Sequence, residues 1–178
     1  GGGLIFNGDL YRGAHGVAAE FGHLNIEPGG RLCACGNRGC WEQYASGNAL
    51  VREARLLSAE RRTEAQVLLD LGDGTPEGVE GQHVTIAARK GDPVALAAFD
   101  SLARWLGQGI ADVTSLLDPG CFVIGGGVSE AGDLLLGATR RAFMSALSGR
   151  DSRPIPEIRL AALGNKAGLV GAADLSRR

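Results

Sequence analysis

Apolar positions recur along this chain with two different periods, and the longest helical run organises the rest. Val94, Leu96, Ala97, Leu102, Trp105, Leu106, Ile110, Val113 and Leu117 follow helical spacing between Asp92-Pro93 and Asp118-Pro119-Gly120. An aspartate N-cap, a first-turn proline and a Pro-Gly stop predict one long amphipathic core helix. The next residues, Cys121-Phe122-Val123-Ile124, are continuously apolar and predict a buried strand, which makes Cys121 a buried structural thiol. A helix over 133–147, a strand over 158–163 and a final helix over 168–175 follow in alternation.

Upstream the pattern is more broken. Leu4-Ile5-Phe6 and Leu10-Tyr11 flank Asn7-Gly8-Asp9, and an Asn-Gly pair between apolar runs predicts a β-hairpin because both residues tolerate positive φ. A short strand is expected over 24–26. A helix begins over 41–45, is interrupted by Ser46-Gly47-Asn48, and resumes over 49–57. Residues 58–82 read as a polar, glycine-rich surface excursion holding a short helix at 65–69, and another short helix over 85–90 is closed by Gly91. Helices and strands in this order predict an α/β layered domain with a partly parallel sheet, with no internal repeat and no dividing linker.

Composition narrows the partners. At 178 residues, 44% hydrophobic and 21% charged, the chain has the material for a sizeable core. A net charge of −2 offers no basic footprint for nucleic acid or an anionic membrane, and no long uncharged apolar run predicts a membrane span. The 29 glycines are grouped at particular places, which points to tight backbone turns. One group opens the chain as Gly1-Gly2-Gly3, without an initiator methionine; the single methionine is Met144. The sequence therefore reads as a fragment cut within a phosphate-type glycine loop, with a preceding segment missing. No signal peptide is visible in it.

The densest chemistry lies between residues 20 and 42. His23, Cys33, Cys35 and Cys40 form a four-ligand set of the kind that closes a structural zinc site, although the spacing is not that of a common zinc finger. Cys33 and Cys35 are too close in sequence for a relaxed disulfide, so metal ligation is the simpler reading, and the compartment implied is reducing and cytoplasmic. Glu20 and Glu42 stand at the two ends of this loop. If a metal draws the ends together, Glu20, His23 and Glu42 converge on one pocket, with one imidazole nitrogen on zinc and the other facing a ligand. Carboxylates accept hydrogen bonds and repel phosphate, so such a pocket suits a neutral polyol such as a sugar. On spacing alone, Glu42 also fits a first-turn helix acid and Glu20 a surface charge. Gly125-Gly126-Gly127 follows a strand and precedes a helix; it reads either as a plain tight turn or as a place where backbone N–H groups approach a nucleotide.

Together these segments resemble the ROK family (repressors, open reading frames and sugar kinases), and within it the glucokinases of the actinobacterial type. The resemblance rests on Glu20-Phe21-Gly22-His23, Cys33-Ala34-Cys35-Gly36-Asn37-Arg38-Gly39-Cys40-Trp41-Glu42-Gln43-Tyr44-Ala45-Ser46, Asp118-Pro119, Val123-Ile124-Gly125-Gly126-Gly127-Val128 and Lys166-Ala167-Gly168-Leu169-Val170-Gly171-Ala172-Ala173. It implies an α/β actin-like ATPase (ribonuclease H-like) fold, with residues 1–178 forming mainly the larger C-terminal lobe, the zinc loop at 23–40, and the N-terminal lobe absent. It implies a structural Zn²⁺ on His23, Cys33, Cys35 and Cys40, and sugar contacts from Glu20, His23 and Glu42. ATP with Mg²⁺ would meet Gly1, Gly2 and Gly3 on the phosphate side, and Gly125, Gly126, Gly127 and Val128 on the adenosine side.

The activity implied is phosphorylation of glucose, or a similar hexose, by a homodimer or higher oligomer, with ATP or polyphosphate as the donor. The family's general-base aspartate and N-terminal phosphate motif would lie upstream, so no catalytic residue is expected in this chain and the fragment alone is expected to be inactive. A sugar-sensing ROK repressor is the competing reading, because such repressors keep the sugar pocket and zinc loop below a DNA-binding domain.

Overall fold

The computed structural model describes residues 1–175, which fall into two units that divide between Ala45 and Ser46. In the first, the predicted hairpin forms as strands β1 (Ile5–Phe6) and β2 (Asp9–Leu10), antiparallel with Ile5 opposite Leu10 and Phe6 opposite Asp9. Its turn needs two left-handed residues, and Asn7 and Gly8 supply them with φ of 52° and 88°. Phe6 and Tyr11 meet edge to face at 5.5 Å between ring centroids.

Two expectations in this unit are revised. The strand expected over 24–26 reduces to a single antiparallel bridge between Asn25 and Cys40, because its partner is the cysteine loop rather than an extended strand. The helix expected to start at 41 is one 3₁₀ turn, Trp41–Gln43. In the second unit Ser46 adopts an extended conformation and its Oγ accepts the Ala49 N–H at 3.1 Å, so the chain starts a new helix there.

That helix is α1 (Gly47–Glu60), followed by α2 (Gln66–Leu71), α3 (Gly81–Arg89) and α4 (Pro93–Leu117). Helix α3 starts earlier than its apolar periodicity indicates. Glu80 accepts a backbone N–H of the first turn, while His83 Nδ1 accepts the Glu80 N–H at 3.2 Å. This reciprocal cap stabilises a start that Gly81 and Gln82 disfavour by propensity. Helix α4 has the predicted bounds. Asp92 caps it with Oδ1 accepting from Val94 N and Ala95 N, and Asp118 closes it in the left-handed region at φ 43°.

Asp92 also joins two helices. Its Oδ2 accepts the buried Leu68 N–H of α2 at 3.0 Å, so one carboxylate satisfies three backbone donors. Around it Leu50, Leu68, Val84, Val94, Phe99, Leu102 and Leu135 pack into one core cluster drawn from α1 to α4 and a further helix, α5 (Asp133–Ala146).

Strand β3 (Cys121–Ile124) pairs in parallel with β4 (Glu157–Leu160), in the register Cys121 to Glu157 and Ile124 to Leu160, with α5 between them in sequence. Parallel pairing of this kind needs a crossover, and α5 provides it. Helices α4 and α5 approach closely at Gly107, where a Cβ would stand 2.5 Å from Phe143 N and 2.7 Å from Ala142 Cβ. The described chain ends in α6 (Ala167–Leu175), which buries no residue.

Strand β3 is not the fully buried strand its composition suggests. Phe122 and Ile124 are half-buried, while Cys121 and Val123 are exposed, Val123 to 65%. Alternation puts successive residues on opposite faces, and among the described residues only one face of this sheet is covered. Cys121 is thus an exposed thiol, and its expected burial is overturned. No helix of the described residues is long and apolar enough to cross a membrane.

Candidate metal centre and ligand site

The cysteine loop is built from short backbone pairings. Leu32 and Arg38 form an antiparallel bridge, Cys33 N donates to Asn37 O at 2.8 Å, and Gly36 N donates to Cys33 O at 3.0 Å. Gly36 makes this tight turn possible with φ at 91°. A second pairing brings His23 to the far end of the loop: Trp41 N donates to Leu24 O at 2.8 Å and Ile26 N to Gly39 O at 2.9 Å. Residues seventeen apart in sequence, His23 and Cys40, become neighbours in this way.

The four donor atoms of His23, Cys33, Cys35 and Cys40 all lie within 4.8 Å of one another. Cys35 Sγ and Cys40 Sγ are 3.6 Å apart, and Cys33 Sγ and His23 Nδ1 are 3.7 Å apart. A tetrahedral zinc ion with bonds of about 2.3 Å to sulfur and about 2.0–2.1 Å to nitrogen sets S···S edges of ~3.8 Å and S···N edges of ~3.6 Å. The residues therefore fit such an ion with little movement. Cys33 and Cys40 are buried, Cys35 and His23 exposed, and all three thiols are free.

Without a cation the three thiols differ. Burial pushes Cys40 up to about 12, helped by the neighbouring thiols. The backbone N–H of Cys35 pulls Cys33 down, but the Glu42 carboxylate and burial outweigh it, and the net shift is upward. Cys35 is lowered, first by the Asn37 backbone N–H. A buried thiol such as Cys40 is neutral by itself and becomes a good ligand when a divalent cation replaces its proton.

Glu42 connects this cluster with the candidate ligand site. Its Oε1 accepts the Cys33 S–H at 3.0 Å, and its side chain lies against Gly22, whose missing Cβ would sit 3.5 Å from both Cβ and Oε2 of Glu42. Gly22 belongs to a 3₁₀ turn, Phe21–His23, so Glu42 lies against the turn that carries His23. The His23 Nδ1 side faces the cluster, which leaves Nε2 for another partner. Glu20 is exposed and immediately precedes the turn, with its carbonyl accepting the His23 N–H at 3.0 Å.

The glycines are not equivalent. Gly2 packs on the Ala19–Phe21 turn, whereas Gly1 has no neighbour within 4 Å of its Cβ position and Gly3 has only Leu10 Cδ1 at 3.9 Å. In the second unit Gly126 requires its glycine, with φ 81° and ψ 179°, and Ser129 Oγ and N both donate to its carbonyl. Gly126 thus forms a tight turn, whichever ligand its backbone meets. Open space surrounds the Cβ positions of Gly126 and Gly127, and Gly125 would meet only Ala161 Cβ at 3.5 Å. Val128 is half-buried and packs against the core, and its Cγ2 lies 3.2 Å from the Cβ position of Gly47.

Sequence reasoning misses the supports of the loop. Tyr44 Oη accepts the Arg31 N–H at 2.7 Å, and Gly30 lies so close to the same oxygen that a Cβ there would overlap it. Asn25 Nδ2 donates to Arg38 O at 3.1 Å. Gly39 is buried at φ 82°, with its Cβ position inside the contact radius of Glu27 O. The only signal for these roles in the sequence is the clustering of glycines around the cysteines.

Comparison with known proteins adds to this geometry. The chain is 55% identical over 177 residues to a glucokinase of Streptomyces coelicolor, covering 99% of this chain and 56% of that protein. It superimposes with a TM-score of 0.96, at 54% identity, on a crystal structure of a ROK family glucokinase from Streptomyces griseus in complex with glucose and AMPPNP, covering 98% of this chain and 56% of the other. A xylose repressor of Bacillus spizizenii is more distant, 31% identical over 143 residues, which are 80% of this chain and 33% of the repressor. The chain thus spans a little over half the length of the glucokinases it matches. The actin-like ATPase (ribonuclease H-like) fold expected from the motifs is the fold of these structural neighbours. With the family match extending over residues 1–178, the chain belongs to the ROK family.

Proposed function

We propose that this chain is the larger, C-terminal lobe of an ATP-dependent glucokinase, carrying the sugar-binding residues, a structural zinc site and part of the nucleotide site. The observation that carries this reading is the agreement in sequence and backbone with the Streptomyces griseus enzyme, whose crystal contained glucose and AMPPNP. The contacts of Glu42 with Cys33 and with Gly22, in the turn that carries His23, support it independently. The xylose repressor covers less of the chain at lower identity, so the kinase is the better supported reading.

Phosphoryl transfer depends on positioning and on charge stabilisation rather than on covalent work by the protein. Glu20 and Glu42 accept hydrogen bonds from sugar hydroxyls, and His23 Nε2 contacts a third polar group of the sugar. His23, Cys33, Cys35 and Cys40 would hold zinc, which would cross-link the loop without an open position for chemistry. With its thiol deprotonated for such a metal, Cys33 would have no proton to donate, and Glu42 would keep both carboxylate oxygens for the sugar. Gly1 to Gly3 serve the phosphates, and the backbone of Gly125 to Val128 serves the nucleoside side. The aspartate that takes the proton of the sugar hydroxyl belongs to the other lobe. The reducing cytoplasm is the compartment in which these thiols remain available for metal.

The test is coupled-assay measurement of ATP-dependent glucose phosphorylation by the full-length protein and by residues 1–178. Activity is expected from the first and none from the second. Glu42→Gln in the full-length enzyme removes a charged acceptor, and kcat/KM should fall by about 10- to 150-fold for a loss of ~1.5–3 kcal/mol. A full-length protein that binds DNA in a sugar-dependent way and phosphorylates nothing would establish the repressor reading instead.

A further inference from the structure

We infer that Gly2 is a positioning residue for the sugar, acting through the Ala19–Phe21 turn, in addition to any contact the glycine run makes with phosphate. This inference rests on the reading of Glu20 and His23 as sugar ligands.

The turn that presents these two ligands is unusual. Ala19 has φ of 67°, a left-handed conformation disfavoured for a residue with a Cβ, and Glu20 follows it directly. After Glu20, the His23 N–H returns to Glu20 O and the Leu24 N–H to Phe21 O, each at 3.0 Å. The direction in which Glu20 leaves the backbone is therefore set by the Ala19 peptide. Something must hold that peptide in an unfavourable conformation.

Gly2 is placed to do so. A Cβ at this position would stand 2.8 Å from Ala19 O and 2.7 Å from Phe21 Cδ2, with Phe21 Cβ at 3.5 Å. Both short distances are below those that real Cβ atoms tolerate, and Ala19 O is a backbone atom that cannot swing aside. Gly2 is not among the residues with positive φ, so close packing, and not backbone conformation, demands glycine here. Gly1 and Gly3 are under no such constraint. One glycine of the run thus packs on the sugar turn, and its two neighbours remain free to face another ligand. The contact gives the phosphate side and the sugar side of the site a common mechanical reference.

Adding a methyl group at residue 2 must displace the Ala19 peptide, and Glu20 moves with it. Gly2→Ala in the full-length enzyme should weaken glucose binding measured without nucleotide, followed by tryptophan fluorescence, on the order of 10- to 100-fold. Gly120→Ala, at a position with open space, serves as the control and should bind as wild type. Zinc content and the far-ultraviolet circular dichroism of Gly2→Ala should be unchanged. If the variant loses its fold, Phe21→Ala replaces it as the probe: removing the ring takes away one side of the contact, and glucose affinity should fall while ATP affinity holds. The double variant should lose less than the sum of the two singles, because the ring that the added methyl would strike is gone.

A Gly2→Ala enzyme with wild-type glucose affinity and only a raised KM for ATP would overturn the inference and leave Gly2 as a phosphate contact. A full-length protein without glucose phosphorylation would instead overturn the proposed function, so the two failures are distinguishable.

Discussion

Replacing Gly39 by alanine tests how far the proposed metal centre depends on backbone that is not itself a ligand. Gly39 lies next to Cys40 and is held on three sides: its N–H donates to Arg31 O at 2.9 Å, and its carbonyl accepts Ile26 N at 2.9 Å and Glu27 N at 3.3 Å. At φ 82°, a non-glycine residue costs about 1–2 kcal/mol. In addition, its Cβ would overlap Glu27 O and lie 2.9 Å from Asn25 Oδ1, and overpacking of this kind costs roughly 1–3 kcal/mol. The sum, about 2–5 kcal/mol, acts on the segment that carries Cys40 to His23.

Gly36→Ala is the matched control. Gly36 has φ of 91° but open space at its Cβ, so only the conformational part applies, about 1–2 kcal/mol. Unit Gly1–Ala45 buries few side chains, so global unfolding would report poorly on it. Zinc affinity by competition with a chromophoric chelator reads the site directly. At about 1.4 kcal/mol per decade, Gly39→Ala should weaken zinc binding by roughly 30- to 4,000-fold and Gly36→Ala by roughly 5- to 30-fold. Equal affinities for the two variants would refute the steric argument and leave only the backbone term.

Other consequences are open to measurement. Asp92→Ala removes a cap and strands the buried Leu68 N–H, and should cost about 2–5 kcal/mol in urea unfolding; Asp92→Ser keeps a capping oxygen and should cost less. Gly107→Ala puts a methyl 2.5 Å from Phe143 N and should lower stability by about 1–3 kcal/mol, seen as a lower midpoint at unchanged m-value. In the metal-free protein Cys40 is raised from 9.0 to about 12, so the folded loop holds a proton that the unfolded chain releases first. That contribution is complete below about pH 9 and is lost as pH rises towards 12, which amide hydrogen exchange at residues 33–40 would follow. Zinc affinity runs the other way and falls with falling pH, because protons compete for the three thiols.

The legible parts of the sequence were those in which neighbouring residues decide the outcome. Asp92-Pro93 and Asp118-Pro119-Gly120 mark the ends of α4 because capping is a local matter of backbone donors and acceptors. Asn7-Gly8 marks the hairpin because φ is a property of single residues. That His23, Cys33, Cys35 and Cys40 would gather was also readable, since few other uses explain three thiols and an imidazole so close in sequence.

Tertiary structure decided whatever depends on residues distant along the chain. The apolar run Cys121–Ile124 could not reveal that Cys121 and Val123 stay exposed, because burial depends on which face another element covers. Asp92 reads as a cap, and only packing shows that it also holds α2. The glycines of the opening run look alike as letters, yet Gly2 alone meets Ala19 and Phe21, since the need for a missing Cβ arises from space and is invisible in sequence. Likewise, the spacing of Glu42 allowed either a helix acid or a site residue, and it was the crossing of Leu24–Ile26 with Gly39–Trp41 that set its carboxylate between Cys33 and Gly22.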